Sequence, residues 1–217
     1  MKRLPGVGAA ALLLVACKAP LRPEWKPAAP ASVQELAAAV ALDSKRSSGE
    51  TGSANREALA ADAARNADAC LRQAPQAAPC LYYHGIALGL EARAHPSHAS
   101  ESLKAMLVAL ASAEAVDPQY DEAGPARVRA LVLVRAPGWP LGPGDSEAGL
   151  AAARRAVALQ PSYPPNLLAL AEALAKTGDS DGARENYEHA RTLAQAQPPS
   201  AERDDWLREA DQALRRK

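Results

Sequence analysis

The stretch Pro164–Gln197, PPNLLALAEALAKTGDSDGARENYEHARTLAQAQ, decides how this chain folds. Its second half opens at Gly178 and Asp179, where glycine tolerates a positive φ and aspartate is a preferred residue at the start of a helix. Apolar residues recur three and four positions apart in its first half, the spacing of one helix face: Leu167, Leu170, Ala171 and Leu174. The stretch therefore predicts two helices joined by a tight turn.

A second pattern, a proline that follows a helix, occurs three times along the chain. Pro75, Pro118 and Pro161 recur at equal intervals, and each follows a helix with small or apolar residues at the same offsets. These are Ala63, Ala67 and Cys70; Met106, Leu110 and Ala113; and Gly149, Ala153 and Ala156. The repetition therefore predicts helical hairpins that stack on one another, because one hairpin cannot bury its apolar face alone.

The unit Pro164–Gln197 resembles the tetratricopeptide repeat, a helix-turn-helix unit of about 34 residues. The residues at the family's signature positions are Leu167, Leu170, Ala171, Leu174, Ala183, Tyr187 and Ala190. In two earlier units the first helix carries Tyr83, Ile86, Ala87 and Leu90, and then Ala126, Arg129, Ala130 and Leu133. Arg129 departs from the pattern. The fold class expected is all-α, with tetratricopeptide-like hairpins and enlarged turns.

One enlarged turn is APGWPLGPGD, Ala136–Asp145. We expect Asp145 to cap the helix that follows. A nucleotide-binding role is disfavoured, because the loop's prolines remove amide donors and no Gly-Lys-Ser/Thr ending follows. Trp139 either packs over neighbouring helix ends or contacts a ligand. The serine- and glycine-rich segment Asp43–Ser53 is also expected to be a loop.

The N-terminus predicts export. Lys2 and Arg3 precede an apolar run too short to span a bilayer, as in a secretory signal, 1–16. Its end, Leu14-Val15-Ala16-Cys17, resembles the bacterial lipobox, which implies that Cys17 is lipidated; the alternative is an ordinary signal whose cysteine is incidental. Lys18 replaces the aspartate associated with inner-membrane retention. The resemblance therefore implies the periplasmic face of the outer membrane.

Boundaries follow from composition. A proline-rich tether, 17–31, is expected to precede a helical repeat domain of about four helix pairs, 32–197, and a C-terminal capping helix, 198–217. Basic and acidic residues number 25 each, which excludes an electrostatic surface for nucleic acid. With Cys17 lipidated, Cys70 and Cys80 are left to pair across Pro75 or to remain two buried thiols.

The tetratricopeptide resemblance also implies a binding face, because that family usually binds through alternate turns of the inner helix of each pair. By position, the residues implied are His84, Leu88, Glu91, Arg127, Leu131, Arg135, Leu168, Glu172 and Lys176. Such a mixed strip suits a protein or peptide segment, or an amphipathic small molecule. The alternative is that its charges are the solvated side of the helices.

No pattern in the sequence favours catalysis. His95 and His98 lie three positions apart, but Pro96 stands between them and no further ligand is close in sequence, so we expect no metal site. Neither a Gly-x-Ser-x-Gly nor a His-Glu-x-x-His element is present. We therefore expect a non-enzymatic protein without a cofactor.

A narrower resemblance runs from about Asp68 to Ala194. It rests on Asp121-Glu122-Ala123-Gly124, the loop Pro137–Asp145, and Ala156–Leu159 with Pro165-Asn166. Together with the lipobox, these resemble the T-component lipoproteins associated with tripartite ATP-independent periplasmic (TRAP) transporters. The resemblance implies a periplasmic accessory protein that assists a solute-binding protein or holds a small apolar ligand. A general protein-interaction scaffold is the first expectation, and the T component is the alternative.

Overall fold

A computed structural model describes residues 31–215, which form nine α-helices and one short 3-10 turn, Pro96–His98. The signal sequence, Cys17 and all but the last residue of the tether lie outside the described residues. The helices are α1 Val33–Ser48, α2 Ser53–Gln73, α3 Ala78–Ala94, α4 Ala99–Val116, α5 Tyr120–Arg135, α6 Ser146–Leu159, α7 Pro164–Thr177, α8 Ser180–Gln195 and α9 Ala201–Arg215.

The helices stack as antiparallel pairs. Helices α1 to α8 form four pairs, the second helix of each pair packs on the first helix of the next, and α9 packs on α8. Alanines fill the contacts between helices, including Ala63, Ala67, Ala113 and Ala153, each of which is fully buried. Small side chains let the helix backbones approach closely. The expected all-α fold of repeated hairpins is confirmed.

The predicted turns have the expected chemistry. Gly178 adopts a φ of 93°, and the Asp179 side chain accepts a hydrogen bond from the Gly182 amide at 2.9 Å. The Asp145 side chain likewise accepts from the Ala148 amide at 3.0 Å, and so caps α6. Both helix starts therefore satisfy an amide that would otherwise lack a partner.

The expected loop at Asp43–Ser53 is wrong over its first half. Helix α1 continues to Ser48, because Asp43 and Ser47 are buried on its packed face despite their polarity. Burial raises the pKa of the Asp43 carboxyl. The connection is confined to residues 49–52, where the Glu50 carboxylate accepts from the Gly52 amide at 2.7 Å.

Helix α5 begins with a left-handed turn. Asp121, Glu122 and Ala123 adopt φ values of 51°, 54° and 62°, a conformation that costs about 1–2 kcal/mol per residue for L-amino acids. Right-handed helix starts at Gly124. Pro125 therefore lies in the first turn of the right-handed segment, where a missing amide hydrogen is tolerated.

The two ends of the array come into contact. Lys45, near the end of α1, reaches Glu202 near the start of α9, with Nζ and Oε1 2.7 Å apart. Both side chains are more than half exposed. Among the described residues, no helix combines the length and the apolar character needed to cross a membrane.

Candidate functional site

A buried arginine holds the left-handed turn in place. From Nη1, Arg127 donates to the carbonyl oxygens of Asp121 and Glu122, at 3.1 and 3.0 Å, and to Asn166 Oδ1 at 3.1 Å. From Nη2 it donates to Asp121 Oδ2 at 2.8 Å. The turn is stable because a guanidinium supplies several donors in a fixed plane.

Asn166 connects this turn to two further helices. Its fully buried side chain donates from Nδ2 to the carbonyl oxygens of Glu122, Ala156 and Gln160, at 3.1, 3.2 and 3.0 Å. The Ala156 and Gln160 carbonyls lie at the end of α6, where the Asn166 amide adds to the backbone hydrogen bonds from Gln160 and Tyr163. One amide therefore ties together the starts of α5 and α7 and the end of α6.

Aromatic rings surround the same turn. The Tyr82 hydroxyl donates to Asp121 Oδ2 at 2.8 Å, and its ring packs edge-on against Tyr120, with the centroids 5.4 Å apart. The Arg127 guanidinium lies over the Tyr163 ring, 5.1 Å from its centroid. Burial, reinforced by the Asp121 charge, raises the pKa of Tyr82 well above its usual range.

Arg127 is therefore not a binding residue, and that prediction is wrong. Its side chain is buried and its Nη atoms are bonded to the protein itself. Leu168 is also misplaced as a binding residue, because it is buried in a cluster with Leu167, Ala190 and Ala210. Leu88 is half-buried and packs against the cluster that contains Met106.

Three of the predicted residues do share one surface. Arg135, Glu172 and Lys176 line an open groove of about 940 Å³ between the ends of α5 and α7 and the helices α8 and α9. The remaining predicted residues do not line it: His84 lies 4.0 Å from Asp68, Leu131 is half-buried and Glu91 is exposed on α3.

The groove carries both signs of charge over an apolar lining. Arg135 forms a two-pronged pair with Glu172, donating from Nε at 2.8 Å and from Nη2 at 2.6 Å. Glu209 lies 4.0 Å from the same guanidinium, and burial raises the pKa of its carboxyl. Lys176 and Asp181 add exposed charges, while the apolar lining comes from Val134, Ala183 and Leu214.

The loop Ala136–Asp145 forms a separate surface. Trp139 is 91% exposed and Leu141 is 78% exposed, so neither the expected packing over helix ends nor a place in the groove is observed. The loop holds its own backbone together, with a bridge between Gly138 and Gly144. The tryptophan is therefore displayed on an ordered turn.

A disulfide joins Cys70, near the end of α2, to Cys80, near the start of α3, with the Cα atoms 5.2 Å apart. The alternative of two free buried thiols is not what the structure contains. His95 directly precedes the 3-10 turn and His98 is its last residue; both are exposed. Within residues 31–215, no group of three or more potential metal-binding side chains comes together.

The structure accounts for Arg129, which departs from the repeat pattern. It pairs with Glu114 of α4, a buried carboxylate that also accepts from Arg155 of α6. The repeat pattern predicts no role for Glu114, and the motifs that contain Asp121 and Asn166 do not indicate the hydrogen bonds these residues form. A usable signal was the polar Asn166 beside the apolar run of α7, since such a residue needs buried partners.

No protein-family model and no curated protein matches the sequence. A solved structure does: the crystal structure of a thermophilic tetratricopeptide-repeat (TPR) protein of Thermus thermophilus. Its TM-score is 0.55 at 21% identity, and the match covers 84% of this chain and 92% of that one. The chain therefore has a TPR-like fold.

Proposed function

We propose that this protein is a non-enzymatic, lipid-anchored repeat scaffold on the periplasmic face of the outer membrane, and that it binds a segment of another protein. The observation that carries the proposal is the groove lined by Arg135, Glu172 and Lys176. Stacked helix pairs commonly bind along such a concave surface. The lipobox ending at Cys17 supports the location.

The groove's chemistry favours an extended peptide with charges of both signs. Leu214 is half-buried above a floor formed by the buried Val134 and Ala183, while Lys176 and Asp181 lie exposed in the lining. The Arg135–Glu172 pair is half-exposed at Arg135, so a ligand carboxylate competes with Glu172 for the guanidinium. A groove open to solvent along its length suits a chain segment better than an enclosed metabolite.

Charge reversal in the groove tests the proposal. The partner is first isolated by cross-linking and pull-down from membranes, and its affinity for the purified protein is then measured by calorimetry. We expect the double variant Arg135→Glu, Lys176→Glu to bind at least about ten-fold more weakly, since both exposed charges would be covered by the bound segment and reversing them opposes its charges. Lys104→Glu, an equal charge change per site on the exposed surface of α4, is the control. Equal affinity in the groove variant and the control contradicts the proposal.

The lipid anchor has its own test. Mass spectrometry of the mature protein should find the N-terminal residue to be an acylated Cys17. Substitution Cys17→Ala should release the protein from membranes, because several acyl chains are needed for stable attachment. A mature N-terminus that carries no fatty acid contradicts the anchor while leaving the groove untouched.

A T-component-like role beside a TRAP transporter is the second candidate. It is supported by where the resembling residues lie: Asp121–Gly124, Ala156 and Asn166 together build the left-handed turn and its hydrogen bonds. This candidate predicts a small apolar ligand that co-purifies and is detected by native mass spectrometry. It also predicts a solute-binding protein as the partner of the groove.

A further inference from the structure

The loop Ala136–Asp145 is ordered by its own backbone. The amides of Leu141 and Gly142 donate to the Gly138 carbonyl at 3.0 and 3.1 Å, and the Gly144 amide donates to the Pro137 carbonyl at 2.8 Å. A Cβ atom at Gly144 would collide with the carbonyl oxygen of Ala136. These contacts fix the loop in one compact conformation.

The ordered loop exposes two large apolar side chains. Trp139 is 91% exposed and Leu141 is 78% exposed, two positions apart at the tip. A preorganised tryptophan loses little conformational freedom on binding, and tryptophan is enriched among residues that dominate interface energies. The tip therefore has the properties of an anchor for a binding pocket.

The loop lies at the edge of the array opposite to the start of the described chain. Ala31 accepts from the Gln73 side chain at the end of α2, and the contacts Cys70–Cys80 and Tyr82–Asp121 continue this edge along the starts of α3 and α5. The loop follows the other end of α5. About a dozen helical residues separate these two edges, roughly 18 Å.

The charge of the loop also separates two kinds of partner. Asp145 is the one ionisable side chain from Ala136 to Asp145, and it caps α6. Loops that bind anionic lipid headgroups usually carry Lys or Arg beside their aromatic residues. The absence of Lys and Arg from Ala136 to Asp145 favours an uncharged apolar pocket over an anionic membrane surface.

We propose that Trp139 and Leu141 form a docking element that inserts into an apolar pocket of a second periplasmic protein. The inference rests on the proposed periplasmic location, which would bring the exposed loop within reach of other periplasmic proteins. Its surface is distinct from the groove of Arg135 and Lys176. The protein therefore presents two surfaces to its surroundings, one for a chain segment and one for a pocket.

Photo-crosslinking tests the docking element. A photoreactive residue replaces Trp139 in the full-length protein in its own cells, and the control places it at Val108, which is 68% exposed on α4. We expect a protein adduct at position 139 that is absent at position 108. An adduct with lipid, or no adduct specific to position 139, overturns the proposal.

Once the partner found by crosslinking has been purified, its affinity for variants of this protein completes the test. We expect Trp139→Ala to weaken binding about ten-fold or more, Trp139→Phe to restore most of it, and Val108→Ala to leave it unchanged. Equal affinity of the Trp139→Ala and Val108→Ala variants overturns the docking element. The groove variant Arg135→Glu, Lys176→Glu keeps the Trp139 and Leu141 side chains, so its result reports on the scaffold proposal separately.

An experiment with lipid vesicles distinguishes a protein pocket from a membrane surface. With Trp25 and Trp206 replaced by phenylalanine, the fluorescence of Trp139 is recorded with vesicles of phosphatidylethanolamine and phosphatidylglycerol. We expect no blue shift. A blue shift that Leu141→Ala diminishes would assign the loop to the lipid surface and overturn the protein pocket.

Discussion

Arg127 and Asp121 are joined twice: Arg127 Nη2 lies 2.8 Å from the Asp121 carboxylate, and Nη1 lies 3.1 Å from the Asp121 carbonyl oxygen. One side chain therefore neutralises the aspartate and also satisfies the backbone of the strained turn. The residue that the repeat pattern predicts as a binding cation is a structural support of α5.

Removing this support should strongly destabilise the fold. Arg127→Met keeps the aliphatic length but leaves Asn166 and the carbonyls of the turn without their donor, which should cost about 3 kcal/mol of unfolding free energy; the Asp121 carboxylate itself is partly exposed. Urea unfolding followed by circular dichroism measures it. Arg135→Met, which breaks a pair at a half-exposed arginine, is the control and should cost at most about 1 kcal/mol. Similar losses in both variants would contradict the supporting role.

The left-handed turn predicts an unusual preference for glycine. Glu122 is exposed and has a φ of 54°, so Glu122→Gly should be more stable than Glu122→Ala by about 1 kcal/mol, because glycine adopts this conformation without a Cβ penalty. Glu122→Val should be the least stable of the three, since β-branched residues are disfavoured there. Thermal unfolding ranks the variants, and a ranking with alanine above glycine would contradict the turn.

The Cys70–Cys80 disulfide closes a loop with a sequence separation of 10. Chain entropy alone then predicts a stabilisation of about 3 kcal/mol. In chemical unfolding, the oxidised protein should have a higher free energy of unfolding than the reduced protein by that amount. The Cys70→Ala, Cys80→Ala variant should match the reduced protein. Alkylation without reductant should leave both cysteines unmodified. Two modified thiols in the untreated protein would contradict the bridge.

The tyrosines around Asp121 predict loss of stability in alkali. Burial raises the pKa of Tyr82 in the folded protein, so the unfolded chain releases its proton first. The contribution of Tyr82 to the free energy of unfolding is fully present below pH 10, near the pKa of an unfolded tyrosine. It decreases as pH rises toward the folded pKa, by up to about 1.4 kcal/mol per pH unit for each such group. Unfolding midpoints measured from pH 8 to 12 should show this decline.

A Tyr82→Phe variant isolates that residue's share. Above pH 10 its stability should decline less steeply than that of the original protein, by about 1.4 kcal/mol per pH unit. At neutral pH it should be weakened modestly by loss of the hydrogen bond to Asp121. Parallel declines in the two proteins would show that Tyr82 does not titrate with unfolding.

Local patterns were enough to predict the helices and their turns. The spacing of Leu167, Leu170 and Leu174 defines a helix face, and the caps at Asp145 and Asp179 depend on residues within three positions. The end of α1 was missed because Asp43 and Ser47 are polar by composition but buried by packing. Composition carries no information about tertiary contacts, and in α1 it is the packing of these residues that sets where the helix ends.

The site was less predictable for the same reason. Asp121, Glu122 and Ala123 have no local preference for a left-handed turn; the partners that hold it, Tyr82 and Asn166, are far away in sequence. Repeat position predicted that Arg135, Glu172 and Lys176 share a surface, and all three line one groove; whether that groove binds a partner stays a prediction. At Arg127 the left-handed turn at Asp121–Ala123 changes what surrounds the same repeat position.

The contact of Lys45 with Glu202 bears on how widely the array opens and closes. Both side chains are largely exposed, so water and salt screen the pair and it separates readily. The distance between the two ends then depends mainly on the angles at which the hairpins stack, and the ends can separate without breaking a strong contact. Fluorophores attached at these two positions would report the separation as a change in energy transfer.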